Sequence, residues 1–365
     1  MNSDRPNIVL ILTDHFRADC VNRSTPNLLR LADRGAMLHN AYCGSTLCQP
    51  SRVSLVTGRF PSQHGVCGNM AEPVSDDERD DTFMHHLQAA GYYTAMIGKH
   101  HYIDHYGLNV NALDEDDAIK AYGFDAVEQV LGECGLAWGG NECRFTQHLR
   151  QRGIFDEYCK VYKSNAWAAG AFPFDDDCYD DGYIGMRGLQ FIEQYDKQQP
   201  FYLNLSFHGP HPPNWHPGEL QHDPAQMPAP IGAPDTPHVR RTRAHFMDKC
   251  AFIDREIGKL MDTLEARGLM DNTIIIFTSD HGDMLGDLGV MDKRVFYEPS
   301  ARVPMIIAGP GIGRGERDMV RRDCKALVSL MDLYPTMLDI AGVDPSATHK
   351  RRWGRSLLPV LAGDV

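Results

Sequence analysis

The stretch Asn-Ile-Val-Leu-Ile-Leu, residues 7–12, is followed directly by Thr13 and Asp14. Five consecutive apolar residues rich in isoleucine and valine, bounded by Pro6, predict a strand that is buried on both faces. Strands of this kind occupy the centre of parallel sheets. Because open parallel sheets bind ligands beyond the carboxyl ends of their strands, we expect Asp14 to face such a crevice.

The rest of the chain alternates between apolar runs and amphipathic segments. The patterns predict strands at 92–97, 201–207, 273–278 and 303–308, and helices at 28–34, 82–90, 183–195, 246–267 and 327–341. This alternation predicts the α/β class, with a large, mostly parallel mixed sheet covered by helices on both faces, an α/β/α sandwich. We expect residues 1–365 to form a single domain, in which the weakly periodic interval 102–181 is an insertion on the substrate side.

Composition restricts the classes of partner. The chain has 365 residues and a net charge of −13, which argues against nucleic acid or an anionic membrane as the main partner. An anionic substrate would therefore need cations gathered at its site. Residues 1–6 lack the apolar core of a signal peptide, so we expect a cytoplasmic protein, with a trimmed exported form as the alternative. The sequence leaves the oligomeric state open.

The ten cysteines include no C-x-x-C pair, which argues against a zinc ribbon. Most of them are expected to be small buried side chains in a reducing compartment. Disulfide pairing among Cys134, Cys143, Cys159 and Cys178 stays open.

Ligand-type residues follow four of the predicted strands. They are Asp14, Lys99 with His101, His211, and Asp280 with His281. One histidine after a strand is usually structural, but strand ends on one edge of a sheet converge on one crevice. Carboxylate oxygens such as those of Asp14 and Asp280 suit a hard divalent cation, which would supply local positive charge.

The segment Cys-Gln-Pro-Ser-Arg, residues 48–52, precedes an apolar run that ends in Thr-Gly-Arg at residue 59. Pro50 predicts a turn at Cys48, followed by a short helix that stops at Gly58. Cys48 would then lie at a helix N-terminus with Arg52 one turn away, an environment that favours negative charge. The alternative is a buried structural thiol before a core helix.

These motifs together resemble the sulfatase family, and they occur in the order found in that family. The resemblance rests on the strand-end Asp14, residues 48–59, Gly98-Lys99-x-His101, Pro210-His211-x-Pro213, Ser279-Asp280-His281-Gly282, Lys293, residues 328–342 and Gly354-Arg-Ser-Leu357. It implies an alkaline-phosphatase-like fold and hydrolysis of sulfate monoesters. It also implies that a maturation enzyme oxidises Cys48 to formylglycine.

The resemblance further implies a role for each site residue. Asp14, Asp280, His281 and the matured Cys48 would hold one divalent cation, with Ca²⁺ the first candidate and Mg²⁺ or Mn²⁺ the alternatives. Arg52 would support the aldehyde hydrate, and His101 would contact its hydroxyl. Lys99 and Lys293 would clamp the sulfate oxygens, and His211 would protonate the leaving alcohol. In such an enzyme one hydroxyl of the hydrate attacks sulfur and the second expels sulfate.

The chain departs from the family pattern in three places. His15 stands where many sulfatases have a second acidic residue after the first strand. His281 replaces the asparagine of many arylsulfatases, which places the chain nearer to choline-sulfatases and phosphonate monoester hydrolases. The sequence given stops at Val365, so the C-terminal subdomain of the family is expected to be short or missing.

Two alternative functions remain at this stage. One is a phosphonate monoester or phosphodiester hydrolase on the same scaffold, and the other is a binding protein that kept the fold without activity. The alcohol portion of the substrate, from a sugar, an aryl compound or another small molecule, is not specified. Trp138, Trp167 and Trp215, in or near the interval 102–181 and the loop 214–243, are candidates for stacking on it, or else ordinary core or rim aromatics.

Overall fold

The structure is a computed structural model that describes residues 5–103, 109–132, 136–137, 139–165, 170–312, 323–344, 348 and 350–362. The strands within these ranges are β1 (Asn7–Asp14), β2 (Gly35–Tyr42), β3 (Tyr93–Gly98), β4 (Ala126–Gln129), β5 (Gly170–Phe172), β6 (Phe201–Pro210), β7 (Trp215–Pro217), β8 (Thr273–Ser279), β9 (Arg302–Val303), β10 (Met305–Ala308) and β11 (Asp323–Ser329).

The helices within the same ranges are α1 (Pro26–Ala32), α2 (Cys48–Thr57), α3 (Pro61–His64), α4 (Asp76–Arg79), α5 (Phe83–Ala89), α6 (Asp116–Lys120), α7 (Arg144–Gln151), α8 (Phe155–Asn165), α9 (Asp180–Gln194), α10 (Pro237–Ala266), α11 (Glu298–Ala301), α12 (Leu333–Ile340) and α13 (Leu358–Ala362). None of these described helices is long and apolar enough to cross a membrane.

Nine of the described strands form one sheet in the order β11-β2-β10-β8-β1-β6-β3-β4, with β9 paired to β2. The run from β8 to β4 is parallel throughout. Strand β10 is antiparallel to both of its neighbours, and β11 is parallel to β2. The sheet is therefore mixed but mostly parallel, as the sequence predicted, and β1 lies inside it.

Helices cover both faces of the sheet. Along β1, Val9 and Ile11 belong to one hydrophobic core, which also contains residues of α9 and α10. Ile8, Leu10 and Leu12 belong to a second core, which contains residues of α2, α5 and α12. All five side chains are buried, because alternate residues of a strand point to opposite faces and each face is covered. The α/β/α sandwich is confirmed.

The predicted helix at 327–341 is wrong at its beginning. Residues 323–329 form the edge strand β11, and the helix α12 begins only at Leu333. Apolar residues at 327, 330, 331 and 334 have helical spacing, but Leu327 is 80% exposed and packs in neither core. Strand β2 was missed because its apolar residues alternate irregularly, and it is recognised only from its pairing with β10 and β11.

The interval 102–181 is not wholly an insertion. Its strand β4 pairs with β3 in the main sheet, while α6, α7 and α8 lie outside the sheet. Its role in substrate binding stays a prediction. Trp215, the first residue of β7, is buried and packs edge-on against Tyr162 and Phe172, so it is a core residue. Trp138 and Trp167 lie outside the described residues.

Candidate active site

The carboxyl ends of four neighbouring parallel strands bring the predicted residues together. Asp280 directly follows β8, Asp14 ends β1, His211 directly follows β6, and Lys99 directly follows β3. Gly98 allows the chain to turn at the end of β3, since it has φ +108° and a Cβ there would lie 2.0 Å from the carbonyl oxygen of Ser206. The predicted convergence on one crevice is confirmed.

Helix α2 delivers the cysteine to this crevice. It begins at Cys48 itself, so the predicted turn at this residue is wrong. Pro50 is accommodated because the first-turn amides of a helix have no intrahelical acceptor. Every residue of α2 is buried, and Gly58, with φ +63°, ends it as predicted. The thiol is thus held at a buried helix N-terminus.

The thiol of Cys48 is surrounded by charged groups from distant parts of the chain. Its Sγ lies 2.9 Å from Nζ of Lys293, 3.3 Å from Nε2 of His281 and 3.6 Å from Oδ1 of Asp14. Lys99 donates to the other carboxylate oxygen of Asp14. Two lysines therefore enclose residue 48 and its neighbouring carboxylate, which supplies the local positive charge that the net charge of −13 lacks.

The environment of Cys48 differs from that of other buried cysteines. Burial opposes ionisation, but Lys293, Lys99 and His281 together hold the pKa of the Cys48 thiol well below its ordinary value. Burial instead raises the pKa of Cys143 and of Cys250. Cys143, Cys159 and Cys178 are free thiols, while Cys134 lies outside the described residues. Cys48 is thus set apart from the structural cysteines by its neighbours.

One group of ligand atoms fits a divalent cation. Atoms of Asp14, Cys48, Asp280 and His281 all lie within 4.8 Å of one another, and the four side chains are essentially inaccessible to solvent. Nδ1 of His281 is 2.9 Å from the carbonyl oxygen of Gly282, to which it donates, so Nε2 is left to face Asp14 and Cys48. Two carboxylates and one oriented imidazole suit the cation that the resemblance implies.

Arg52 lies behind these carboxylates, with its side chain buried. Its Nε donates to Oδ2 of Asp280 at 2.8 Å, and its Nη1 donates to the carbonyl oxygen of Lys99 and to Oγ of Ser206. These bonds join the ends of β8 and β3 to Ser206 within β6. Arg52 thus holds the predicted ligand Asp280 in place, and its support of the aldehyde hydrate stays a prediction.

His211 and His101 complete the predicted set. Nδ1 of His211 lies 2.6 Å from the carbonyl oxygen of Pro212, to which it donates, and a nitrogen of its ring lies within 4.8 Å of Cys48 Sγ. Burial and Lys293 lower the pKa of His211 well below its usual range. His101 is buried, with Nε2 3.2 Å from the carbonyl oxygen of Asn69, and it is a further cause that lowers the pKa of the Cys48 thiol.

Sequence reasoning did not place three residues in the site: His15, Asp283 and Asn69. His15 is buried between Asp283 and Lys293, and its ring lies edge-on to those of two other histidines of the site. The sequence offered a signal for His15, since it follows Asp14 directly where a ligand residue is common. The side-chain amide of Asn69 lies 3.8 Å from Sγ of Cys48, and nothing in its sequence surroundings indicates this.

Comparisons with known proteins agree with this geometry. The choline-sulfatase of Rhizobium meliloti is 31% identical over 408 residues, covering 100% of this chain and 73% of that protein. The N-acetylglucosamine-6-O-sulfatase of Bacteroides thetaiotaomicron is 27% identical, covering 99% of this chain and 71% of that protein. The crystal structure of a phosphonate monoester hydrolase of Agrobacterium radiobacter superposes with a TM-score of 0.80 at 25% identity, covering 98% of this chain and 77% of that one.

A family model described as sulfatase matches residues 6–343, which include every predicted site residue. The similarity extends over nearly the whole chain, and the fold is the alkaline-phosphatase-like fold of these relatives. With the cysteine, the lysines and the candidate cation ligands gathered at one sheet edge, the chain belongs to the sulfatase family.

Proposed function

We propose that this enzyme hydrolyses the sulfate monoester of an organic alcohol at residue 48, after a maturation enzyme has converted Cys48 to formylglycine. The observation that carries the proposal is the position of the Cys48 thiol, 2.9 Å from Lys293 and next to the Asp14, Asp280 and His281 group. A sulfate monoester is an anion, and its nucleophile must meet it where negative charge is stabilised. The relatives named as sulfatases support this assignment.

The chain's own residues would bind and orient the ester. Lys293 lies against residue 48 and Lys99 against Asp14, and both would contact sulfate oxygens, which brings sulfur close to residue 48. A hydrated formylglycine would supply one hydroxyl as the nucleophile and a second hydroxyl whose ionisation releases sulfate. A cation held by Asp14, Asp280 and His281 would lower the pKa of the nucleophilic hydroxyl. Burial of this group keeps bulk water away from the ligands.

His211 is the proposed acid for the leaving alcohol. Because its Nδ1 donates to the carbonyl oxygen of Pro212, the proton transferred to the alkoxide would be held on Nε2. Burial and Lys293 keep the pKa of this imidazole low in the free enzyme. A bound sulfate monoanion next to it would raise that pKa, so the acid would be loaded with its proton when substrate is present.

The identity of the cation is also part of the proposal. Two carboxylates and oxygen donors at residue 48 favour Ca²⁺ as the first candidate. Mg²⁺ and Mn²⁺ are the alternatives, because His281 contributes a nitrogen and no second carboxylate follows Asp14. Metal analysis of the purified enzyme distinguishes the three ions.

The test uses protein produced together with a formylglycine-generating enzyme. Mass spectrometry of the peptide containing residue 48 should show the aldehyde or its hydrate in place of the thiol. This material should hydrolyse an aryl sulfate faster than an aryl phosphonate monoester or an aryl phosphodiester. The reverse order would favour the phosphonate monoester hydrolase alternative, which the structural similarity to the Agrobacterium radiobacter enzyme keeps open. Absence of all three activities in fully modified protein would favour a binding protein.

A further inference from the structure

We infer that His15 and Asp283 are a positioning pair that holds the ammonium of Lys293 against residue 48, and that His15 does not ligate the cation. The inference rests on the proposed function, in which Lys293 contacts a sulfate oxygen. It concerns a position at which this chain carries a histidine where many family members carry an acidic residue.

His15 is locked in place on every side. Its side chain is inaccessible to solvent, and its backbone has φ +72°, a conformation that non-glycine residues adopt at a cost. Its ring packs edge-on against His211, with centroids 4.5 Å apart, and against His281, with centroids 4.6 Å apart. A buried ring with this backbone has little freedom to turn, so its two nitrogens have fixed partners.

Those partners determine what each nitrogen does. Nδ1 lies 2.7 Å from Oδ2 of Asp283, a carboxylate oxygen that can only accept, so Nδ1 carries the proton. Nε2 lies 2.6 Å from Nζ of Lys293, and two N–H groups cannot face each other at that distance. Nε2 therefore accepts from the lysine. Asp283 sets the tautomer, and the tautomer gives Lys293 an acceptor.

Lys293 needs Nε2 of His15 as a hydrogen-bond acceptor, whereas Lys99 has a carboxylate as its partner. Lys99 is paired with the carboxylate of Asp14. For Lys293, the hydrogen-bond acceptors among the described residues are Nε2 of His15 and Sγ of Cys48. Conversion of Cys48 to formylglycine removes that sulfur. In the mature enzyme the hydroxyl oxygens of residue 48 take the place of that sulfur. Among the described side chains other than residue 48, His15 is then the acceptor that directs the ammonium toward residue 48 and toward a bound sulfate.

The same geometry argues against His15 as a ligand of the cation. The Nε2 lone pair is already used by Lys293, and an ammonium 2.6 Å away would repel a cation bound to the same nitrogen. The ligand atom of His15 lies in two other groups of possible ligand atoms, one with Asp14, Cys48 and His211 and one with Asp283 and Asp292. The group of ligand atoms that contains Asp280 and His281 does not include His15.

Two substitutions test the roles of Nδ1 and Nε2 of His15 separately. In His15→Asn the side-chain amide can still pair with Asp283 but is too short to reach Lys293. In His15→Gln the longer side chain can present its carbonyl oxygen near the position of Nε2. The matched control is His86→Ala, which removes another imidazole paired with a carboxylate, that of Asp81 at 2.9 Å, away from the site.

The readouts are calorimetric binding of inorganic sulfate and the metal content per chain, both measured on formylglycine-containing protein. We expect His15→Asn to weaken sulfate binding roughly tenfold or more and His15→Gln to recover much of the lost affinity. The affinity of His86→Ala should match that of wild type. All three should retain the metal content of wild type. Loss of metal from His15→Asn would show that His15 is a ligand and would overturn the inference.

Equal sulfate affinity in His15→Asn and wild type would also overturn the inference, even if wild type hydrolyses aryl sulfates normally. In that case the proposed function would stand. A fully modified wild type that turns over no sulfate ester would instead remove the proposed function, and this inference with it. Urea unfolding of each variant identifies any loss of binding that comes from loss of fold.

Discussion

The buried polar groups at the two ends of helix α2 are satisfied by opposite kinds of partner. At the N-terminal end, Cys48 meets Lys293, His281 and Asp14, which lie 245, 233 and 34 residues away along the chain. Full charges face one another there without solvent. At the C-terminal end, Ser54 Oγ lies 3.0 Å from Nε2 of His64, ten residues away.

The C-terminal end of α2 is satisfied by neutral, local bonds. Thr57 donates to the carbonyl oxygen of Val53 at 2.7 Å, and the amide of Gly58 donates to that of Ser54 at 2.8 Å. Such bonds complete a helix end and leave no group in need of a ligand. The N-terminal end instead gathers groups whose charges are balanced only in part, and this is what a bound anion and cation would complete. Both ends of α2 are buried, so burial alone does not distinguish the end that carries Cys48. The distance along the chain from which the partners come does distinguish it.

The largest effect is expected from removing the side chain at the functional end. Cys48→Ala should reduce aryl sulfate turnover to background, because no nucleophile can be made at residue 48. Cys48→Ser should leave a slow enzyme at best, since a serine lacks the second hydroxyl that releases sulfate. Steady-state kinetics with 4-nitrophenyl sulfate measure this. Ser54→Ala is the control in the same helix, and retained turnover in the Cys48→Ala protein would remove the mechanism.

The next effect is expected at Asp280. Asp280→Asn keeps the shape of the side chain but removes a charged oxygen ligand, so metal and activity should fall together, by on the order of a hundredfold in activity. The substituted amide should keep part of the bond to Arg52, which protects the fold. Metal analysis after dialysis measures the loss, with Asp262→Asn on the protein surface as the control. A full metal complement in Asp280→Asn would contradict the ligand assignment.

The effect expected from His211 depends on the substrate, and it is smaller than that of Asp280 only for an ester with a good leaving group. His211→Ala should cost on the order of 10²–10⁴-fold with sulfate esters of poor leaving groups such as sugar alcohols, because an acid must protonate the alkoxide. With a nitrophenyl sulfate, whose leaving group needs no proton, the loss should be much smaller. Comparison of kcat/KM for the two substrates measures this. An equal loss for both would assign His211 to positioning or folding.

The centre of the sheet and much of the site could be predicted from the sequence. The strands that precede Asp14, Lys99, His211 and Asp280 are apolar runs, and a parallel sheet necessarily gathers their ends at one edge. Edge strands were harder to predict. Strand β11 faces solvent on one side, and β4 has four residues, so neither carries the continuous apolar signal of β1.

The partner of each side chain could not be predicted, because it depends on packing between distant segments. His15 is next to Asp14 in the sequence, yet its contacts with Asp283 and Lys293 come from a loop about 270 residues later. Asn69 contacts Cys48 from a segment with no regular structure around it. The motif predicts that residue 48 reacts, whereas the structure shows which groups surround its side chain.

The smallest effect on activity is expected at His64, at the structural end of α2. Nδ1 of His64 accepts from the amide of Val66, so Nε2 carries the proton and donates to Ser54, and the ring is neutral. Burial and Arg59 lower its pKa to about 4. The unfolded chain, with a pKa near 6.5, therefore binds a proton between about pH 6.5 and pH 4 that the folded protein does not. His64 thus contributes stability that is present above this window and is lost as the pH falls through it.

His64→Gln should remove that contribution. The slope of the free energy of unfolding against pH between 6.5 and 4 should be smaller than in wild type by up to ~1.4 kcal/mol per pH unit, while kcat/KM at pH 7 changes less than about twofold. Urea unfolding of both proteins at several pH values measures the difference, in which the other titrating groups cancel. Identical slopes would show that His64 has the same pKa in the folded and unfolded states. A large loss of turnover would instead extend the functional region along α2, because the two ends of the helix would then no longer be separable.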